Sequence, residues 1–205
     1  MEYDKIADKK VIEETIKNLA ANGIEGFFVE TKADALAKIQ DLIPAGASVM
    51  NGSSRSLEQI GFVGLLEKKE HNWNNLHDGI LAEKDPAKQA ALRKQAVLSD
   101  FYLGSVHALS RTGEFIVASN SGSQLPHIVF TSPNLIFVVG AQKIVSSLEE
   151  GMQRLQEHVI PLEDDRMMGK FKMHTYPSKV LMFRKEQSYL GRKVRVIIVN
   201  EALGF

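Results

Sequence analysis

Leu135-Ile136-Phe137-Val138-Val139-Gly140 is the stretch that decides the fold. It is continuously apolar, with no polar residue at alternate positions, so it reads as a central strand covered on both faces, as in a parallel sheet. Strand signals flank it upstream over 101–106, 114–119 and 127–130, and downstream over 180–183 and 194–199, the last two separated by a turn at 188–191. Helix signals alternate with strands through the rest of the chain. Residues 4–21 carry Ile6, Val11, Ile12, Ile16 and Leu19 close to helical spacing, and Asn22-Gly23 ends that helix. A strand at 26–30 precedes a helix over 33–42, capped by Thr31 with Asp34 in its first turn. Pro44-Ala45-Gly46 turns the chain into a buried strand at 48–50, followed by a helix over 56–69. The segment 71–79 is polar and irregular, Asp85-Pro86 opens a helix running to about residue 98, and 147–159 is helical. Residues 163–176 are charged and Met-rich, a loop or short helix. This alternation predicts an α/β fold, a mainly parallel sheet between helical layers, built as one domain over 1–205, with 101–140 a mixed region or small strand-rich insertion.

The composition narrows the function classes. Hydrophobic residues make up 44% of the 205 and charged residues 24%, a mix able to bury a core. Lys plus Arg and Asp plus Glu both number 25, and no basic stripe stands out, so nucleic acid is not an expected partner. The chain has no cysteine, which excludes disulfides, thiolate nucleophiles, Cys-ligated zinc and Cys-held iron–sulfur clusters within it. No segment approaches the roughly 20 apolar residues of a membrane span, and the opening MEYDKIADKK lacks a signal core; a cytoplasmic location is expected.

Asn51-Gly52-Ser53-Ser54-Arg55-Ser56-Leu57-Glu58-Gln59-Ile60-Gly61 follows a buried strand and opens a helix. Such a turn lies at the carboxyl edge of an α/β sheet, where ligands bind. Gly52 lets the backbone approach a ligand, Ser53, Ser54 and Ser56 offer hydroxyls, and Arg55 offers a bidentate anion contact. The same residues also fit plain capping, with Ser56 and Gln59 spaced as a capping box. Neither a Walker A loop nor a GxGxxG fingerprint is present.

The second polar cluster spans 104–127. Thr112-Gly113 reads as a hairpin turn, and Asn120-Ser121-Gly122-Ser123 as a second turn rich in donors, so Asn120 and Gly122 join the candidate ligand-binding residues. His107 and His127 are candidate acid–base groups. Glu114, beside the Gly turn, is a candidate base or carboxylate nucleophile. Each also has a structural alternative, a satisfied histidine or a solvated glutamate. The six histidines show no metal-ligand spacing. Lys143 follows the central strand and either faces the anion held by the 53–56 turn or sits exposed at the start of the next helix.

In order and spacing over roughly 5–160, these segments resemble the LUD domain, the family of lactate-utilization protein C. The resemblance is carried by Asn51-Gly52-Ser53-Ser54 with Ser56 to Gly61, Thr112-Gly113-Glu114, the turn from Ser119 to Gln124, Ile136 to Gly140, Lys143-Ile144-Val145 and Leu148-Glu149-Glu150. It implies a three-layer fold like that of the glucosamine-phosphate isomerase, ribose-phosphate isomerase and CoA-transferase group. Relatives there bind phosphosugars or CoA esters at a Gly/Ser turn, which maps onto Gly52 to Ser56, and the CoA-transferase branch uses a glutamate nucleophile, for which Glu114 is the nearest counterpart. It also implies a role in oxidising lactate beside iron–sulfur partner subunits, with no cofactor in this chain.

Two function classes follow. One is an accessory protein of lactate or other organic-acid utilization, with a pocket for a small anionic metabolite and a surface for a partner. The other is a stand-alone isomerase or CoA-transferase-like enzyme, which needs Glu114, a histidine and Lys143 to converge on the 53–56 turn. A cyclo-ligase-like nucleotide enzyme and a purely regulatory module are weaker alternatives. A homo-oligomer through apolar surface around 60–66 is open.

Overall fold

The computed structural model describes residues 3–205. Helix α1 (Lys9–Ala21) buries Ile12, Thr15 and Leu19, three and four residues apart on one face. Strand β1 (Glu25–Val29) leads into α2 (Lys32–Leu42), which opens on a full capping box between Thr31 and Asp34. Strand β2 (Ser48–Asn51) follows. The single helix expected over 56–69 is instead two, α3 (Arg55–Gln59) and α4 (Phe62–Glu67). They break at Gly61, whose φ of 85° lies in the left-handed region that a helix interior does not allow. The polar stretch at 71–79 contains a short strand β3 (Asn74–Asn75) and the start of α5 (Leu76–Ala82), ahead of α6 (Pro86–Gln95).

Strands β4 (Phe101–Gly104), β5 (Ala108–Ser110) and β6 (Phe115–Ser119) come next. The strand expected at 127–130 is a wide π-helical turn, His127–Thr131. It buries His127 and Ile128 side by side and exposes Val129 and Phe130, a pattern no alternating strand can give. Strand β7 (Asn134–Gly140) is the apolar stretch, and β8 (Ile144–Val145) follows a tight turn. Helix α7 (Leu148–Arg154) continues through a π turn, Leu155–Val159, into α8 (Ile160–Phe171). The charged segment from 163 is therefore a helix to Phe171. Strands β9 (Lys179–Phe183) and β10 (Lys193–Val199) end the chain's regular structure.

Six strands form one parallel sheet in the order β1-β10-β7-β4-β2-β3. The central strand β7 pairs with β10 and β4, and Leu135, Ile136, Phe137, Val138 and Val139 are all fully buried. Its alternate residues face two cores. Leu135, Phe137 and Val139 pack with Ile12 and Leu19 of α1, whereas Ile136 and Val138 pack with residues of α2, α3 and α4. The strand-rich region is a second sheet, β8-β5-β6-β9, in which β5 and β6 form a hairpin through Thr112-Gly113. It packs Leu109, Phe115 and Phe183 into the α1-side core. The two last strands, adjacent in sequence, thus belong to different sheets. Strands β2, β4 and β7 all end at one edge, at Asn51, Gly104 and Gly140, and the polar residues gather there. No helix among the described residues is long and apolar enough to cross a membrane.

Candidate functional site

A cleft of about 520 Å³ opens at that edge, between the 52–56 turn, the segment after β4, the 118–124 turn and helix α8. Ser54, not Ser56, caps α3: its hydroxyl accepts the Leu57 N–H at 3.3 Å. Ser56 lies inside the helix with its side chain turned into the protein, 1% exposed, and donates to the Leu203 carbonyl at 3.3 Å. Gln59, expected to complete a capping box, accepts the Gly204 N–H at 2.6 Å instead.

Lys143 forms the floor. After β7 the chain makes a tight turn, Ala141–Lys143, that points this side chain inward; it is 4% exposed, so it is not the solvated lysine that a helix start would give. Its Nζ lies 3.2 Å from each of Ser56 Oγ, Ser105 Oγ and the Val106 carbonyl. No carboxylate is among these partners. Burial pushes the amine down to about 7, and the nearby Arg154 guanidinium pushes in the same direction. Arg154 on α7 is fully buried; it donates to the His107 carbonyl at 2.5 Å and to the main-chain oxygen of Phe205 at 3.3 Å, while its Nε and Nη2 have no acceptor. Burial lowers its pKa to about 10, opposed by Asp4 and Tyr3.

His107 lines the cleft above this pair. Its Nδ1 accepts the Ala118 N–H at 3.0 Å, which puts the proton on Nε2. Burial, then the Lys143 and Arg154 charges, push its pKa down to about 3, so it is a neutral N–H donor and a poor base near neutral pH. At the rim, Arg55 pairs with Glu58 at 2.7 Å, and Arg166 of α8 is held bidentate by Glu163 at 2.7 Å on both bonds. Ser53 and Asn120 also line the cleft, and Asn120 ties the turn to β9 through Ser178 and Lys179. Gly122 belongs to the turn rather than the lining; its φ is 83°, and an added Cβ would meet the Lys179 stem at 2.6 Å.

His127 and Asn51 line a different cavity, of about 490 Å³, on the other side of the Gly52–Ser54 wall. There His127 stacks on Tyr102 at 4.6 Å between centroids, and its Nδ1 lies 3.0 Å from Ser132 Oγ and 3.3 Å from Ser99 Oγ. Burial lowers its pKa to about 4, helped by His77, whose own Nδ1 lies 3.1 Å from Asn51 Oδ1. Gly52 stands in the wall because a Cβ would strike the Tyr102 hydroxyl and would meet Gln124 Oε1 at 2.9 Å. The two candidate histidines are therefore not one acid–base pair.

Glu114 lines neither cavity. It sits at the far end of the β5–β6 hairpin, where its carboxylate accepts from the Thr112 hydroxyl and lies 3.9 Å from Arg184. The neighbouring Gly113 is pressed against the α1 backbone at Asn18, so the hairpin tip points away from the cleft. A nucleophilic Glu114 at the 53–56 turn does not fit this geometry. Ser105, Arg154 and Arg166 belong to the cleft region but do not stand out in the sequence. Only Ser105 carried a signal, as the residue after a Gly at a strand's carboxyl end. Among the described residues, no group of three or more His, Asp or Glu side chains could hold a metal ion.

No curated protein matches the chain. The solved structure of a DUF162 family protein from Deinococcus radiodurans aligns over 96% of this chain and 100% of its own, with a TM-score of 0.57 at 12% identity, a likeness of fold. The family model of the LUD domain matches residues 12–199, which takes in every strand of both sheets and the whole of the Lys143 cleft floor up to β10. The chain belongs to the LUD domain family.

Proposed function

We propose that the Lys143 cleft binds a small organic anion, and that the protein serves lactate or related organic-acid utilization beside iron–sulfur partner subunits. One observation carries the anion: a buried lysine opens onto a cleft with no carboxylate partner, and a second buried cation, Arg154, lies behind it. A charge buried without a counter-ion favours a ligand that supplies one. Ser53 and Ser105 add hydroxyls to the lining, and Arg55 stands at the rim. The metabolic setting is supported by family membership and the resemblance to lactate-utilization protein C. Since the chain has no cysteine, a cluster held by thiolates would be carried by a partner. The stand-alone CoA-transferase alternative is the weaker one, because Glu114 lies outside the cleft.

Thermal shift against lactate, pyruvate, phosphosugars, CoA esters and nucleotides tests the proposal. A ligand at 100 times its Kd stabilises the fold by about 2.7 kcal/mol. The expected result is a shift for one class of organic anion, strongest below pH 7 where Lys143 is protonated, lost in Lys143→Met and kept in Glu114→Gln. Equal shifts in wild type and Lys143→Met would overturn the anion site. Unimpaired growth on lactate after deletion of the gene would overturn the metabolic assignment.

A further inference from the structure

Ser105 directly follows β4, is half-buried and lines the cleft. Its Oγ lies 3.2 Å from both Lys143 Nζ and Ser56 Oγ. The Val106 carbonyl can only accept, and the Ser56 hydroxyl has its own acceptor in the Leu203 carbonyl, so both receive N–H groups from Lys143. A neutral amine has two N–H groups and one lone pair. With two neighbours receiving, the lone pair is left facing Ser105, whose hydroxyl also lies 3.4 Å from the Val106 carbonyl and can rotate its proton from that oxygen to the amine. The charged and titratable groups around the amine are Arg154 on α7, His107 after β4 and His158 in the 155–159 turn. No Asp or Glu side chain is among them, and the Lys143 amine makes its hydrogen bonds to Ser56, Ser105 and Val106 alone.

We propose that Ser105, Lys143 and Ser56 form a serine–lysine acyl-transfer centre acting on esters or thioesters of small carboxylic acids. Ser105 Oγ bonds to the carbonyl carbon as its proton passes to Lys143 Nζ, and the carbonyl π pair moves onto oxygen beside the new ammonium. The intermediate collapses, the bond to the leaving alkoxide or thiolate breaks, and that group takes the proton from Lys143. Water then attacks the acyl–Ser105 ester as Lys143 takes one of its protons; the bond from the acyl carbon to Ser105 Oγ breaks, Lys143 returns that proton to Ser105 Oγ, and the carboxylic acid leaves and gives its remaining proton to solvent as a carboxylate. Ser56 is a positioning residue: it holds the amine so that its lone pair meets Ser105. The centre rests on the anion proposal only in location, since the product carboxylate is the kind of ligand the cleft floor retains.

An alkyl fluorophosphonate probe, read by peptide mass spectrometry, tests this on the full chain. The expected result is a single adduct on Ser105, formed faster as pH rises, with a midpoint near 7. Ser105→Ala removes the adduct. Lys143→Arg keeps a cation but cannot act as a base, and should slow labelling by about 100-fold or more. Ser56→Ala takes one acceptor from the ammonium and should move the midpoint down, an effect that a purely structural serine would not have. No adduct on Ser105 between pH 6 and 9, or equal labelling of wild type and folded Lys143→Arg, overturns the centre. If Lys143→Arg does not fold, the pH profile of the wild type decides: a flat profile overturns it. Anion-induced thermal shifts without labelling would sink the chemistry and leave the binding site standing; labelling without any such shift would do the reverse.

Discussion

Replacing Lys143 by methionine should change how stability depends on pH. The two side chains are similar in length and unbranched, so the substitution removes the titrating group and little volume. In the folded chain burial holds the amine at about 7, against an ordinary value of 10.5. Between those values the unfolded chain carries the proton and the folded chain does not. Stability of the wild type therefore rises with pH across that window, and the full cost of the buried charge is present below about 7. At 1.36 kcal/mol per pKa unit, the full cost is about 5 kcal/mol, and the part relieved between pH 6 and 9 is about 3 kcal/mol. Urea unfolding followed by circular dichroism, run on both proteins at pH 6, 7, 8 and 9, reads this directly. The expected result is that wild type gains about 3 kcal/mol relative to Lys143→Met from pH 6 to 9, since other titrating groups are common to both and cancel. A difference constant with pH would mean that Lys143 keeps an ordinary ammonium. That would refute the uncompensated buried amine, and with it the cleft floor on which anion binding is built.

His127 gives a window of the same sign at lower pH. His127 is buried and pushed down to about 4, so its contribution to stability is complete above 6.5 and lost as pH falls from 6.5 toward 4. Between pH 7 and 5, His127→Phe, which can keep the stack on Tyr102, should lose roughly 2 kcal/mol less than wild type in the same unfolding assay; equal losses would show that His127 protonates freely. Gly204 has a φ of 67°, and an added Cβ would meet Ser56 Oγ at 2.7 Å and Lys143 Nζ at 3.0 Å. Gly204→Ala should cost about 1–3 kcal/mol through backbone strain and crowding, and weaken any anion-induced thermal shift; a variant as stable as wild type with full ligand response would show that the tail is free to move.

The layers were legible because they rest on burial patterns a strand or helix must show. The unbroken run from Leu135 to Val139 has apolar side chains on both faces, and the structure packs one set on α1 and the other on α2 to α4. The Thr31 cap with Asp34 in the first turn and the Thr112-Gly113 hairpin were legible because local chemistry decides them, though the reciprocal bond that makes Thr31 and Asp34 a capping box is seen only in the structure. The break at Gly61 was not, because a glycine within a helical pattern is as often tolerated as used for a left-handed φ. Nor was the π turn at 127–131, where the short apolar run His127 to Phe130 fits a strand or one wide helical turn equally well. The charged surface of α8 hid a helix whose face closes the cleft: none of its residues is fully buried, so no apolar stripe marks it. At the site, Lys143 meeting the 53–56 turn follows from strand order, as both segments leave parallel strands at one edge. The division of His107 and His127 between two cavities, and the exile of Glu114, depend on how the second sheet folds over the first, and sequence spacing carries no trace of that.

The energetics of the cleft floor argue that it is there to act. Domains are stable by only about 5–15 kcal/mol, and the burial cost of Lys143 is a sizeable fraction of that. Arg154 adds to it, with two guanidinium nitrogens lacking any acceptor in a fully buried side chain. Taking a charge out of water costs several kcal/mol unless its surroundings repay it. The fold builds hydroxyls and a carbonyl around Lys143 and places it where a cleft reaches it. Local rules of burial broken at one point, inside a chain that keeps them elsewhere, mark functional groups. A bound anion and the transient oxyanion on the substrate carbonyl oxygen, as proposed above, would both meet the same Lys143 ammonium, so one floor would serve both binding and acyl transfer. The two differ in the protonation they need: binding draws on the ammonium below pH 7 and acyl transfer on the free amine above it. Anion affinity and Ser105 reactivity should therefore cross near pH 7, in opposite directions, and parallel pH profiles would show that they do not share Lys143.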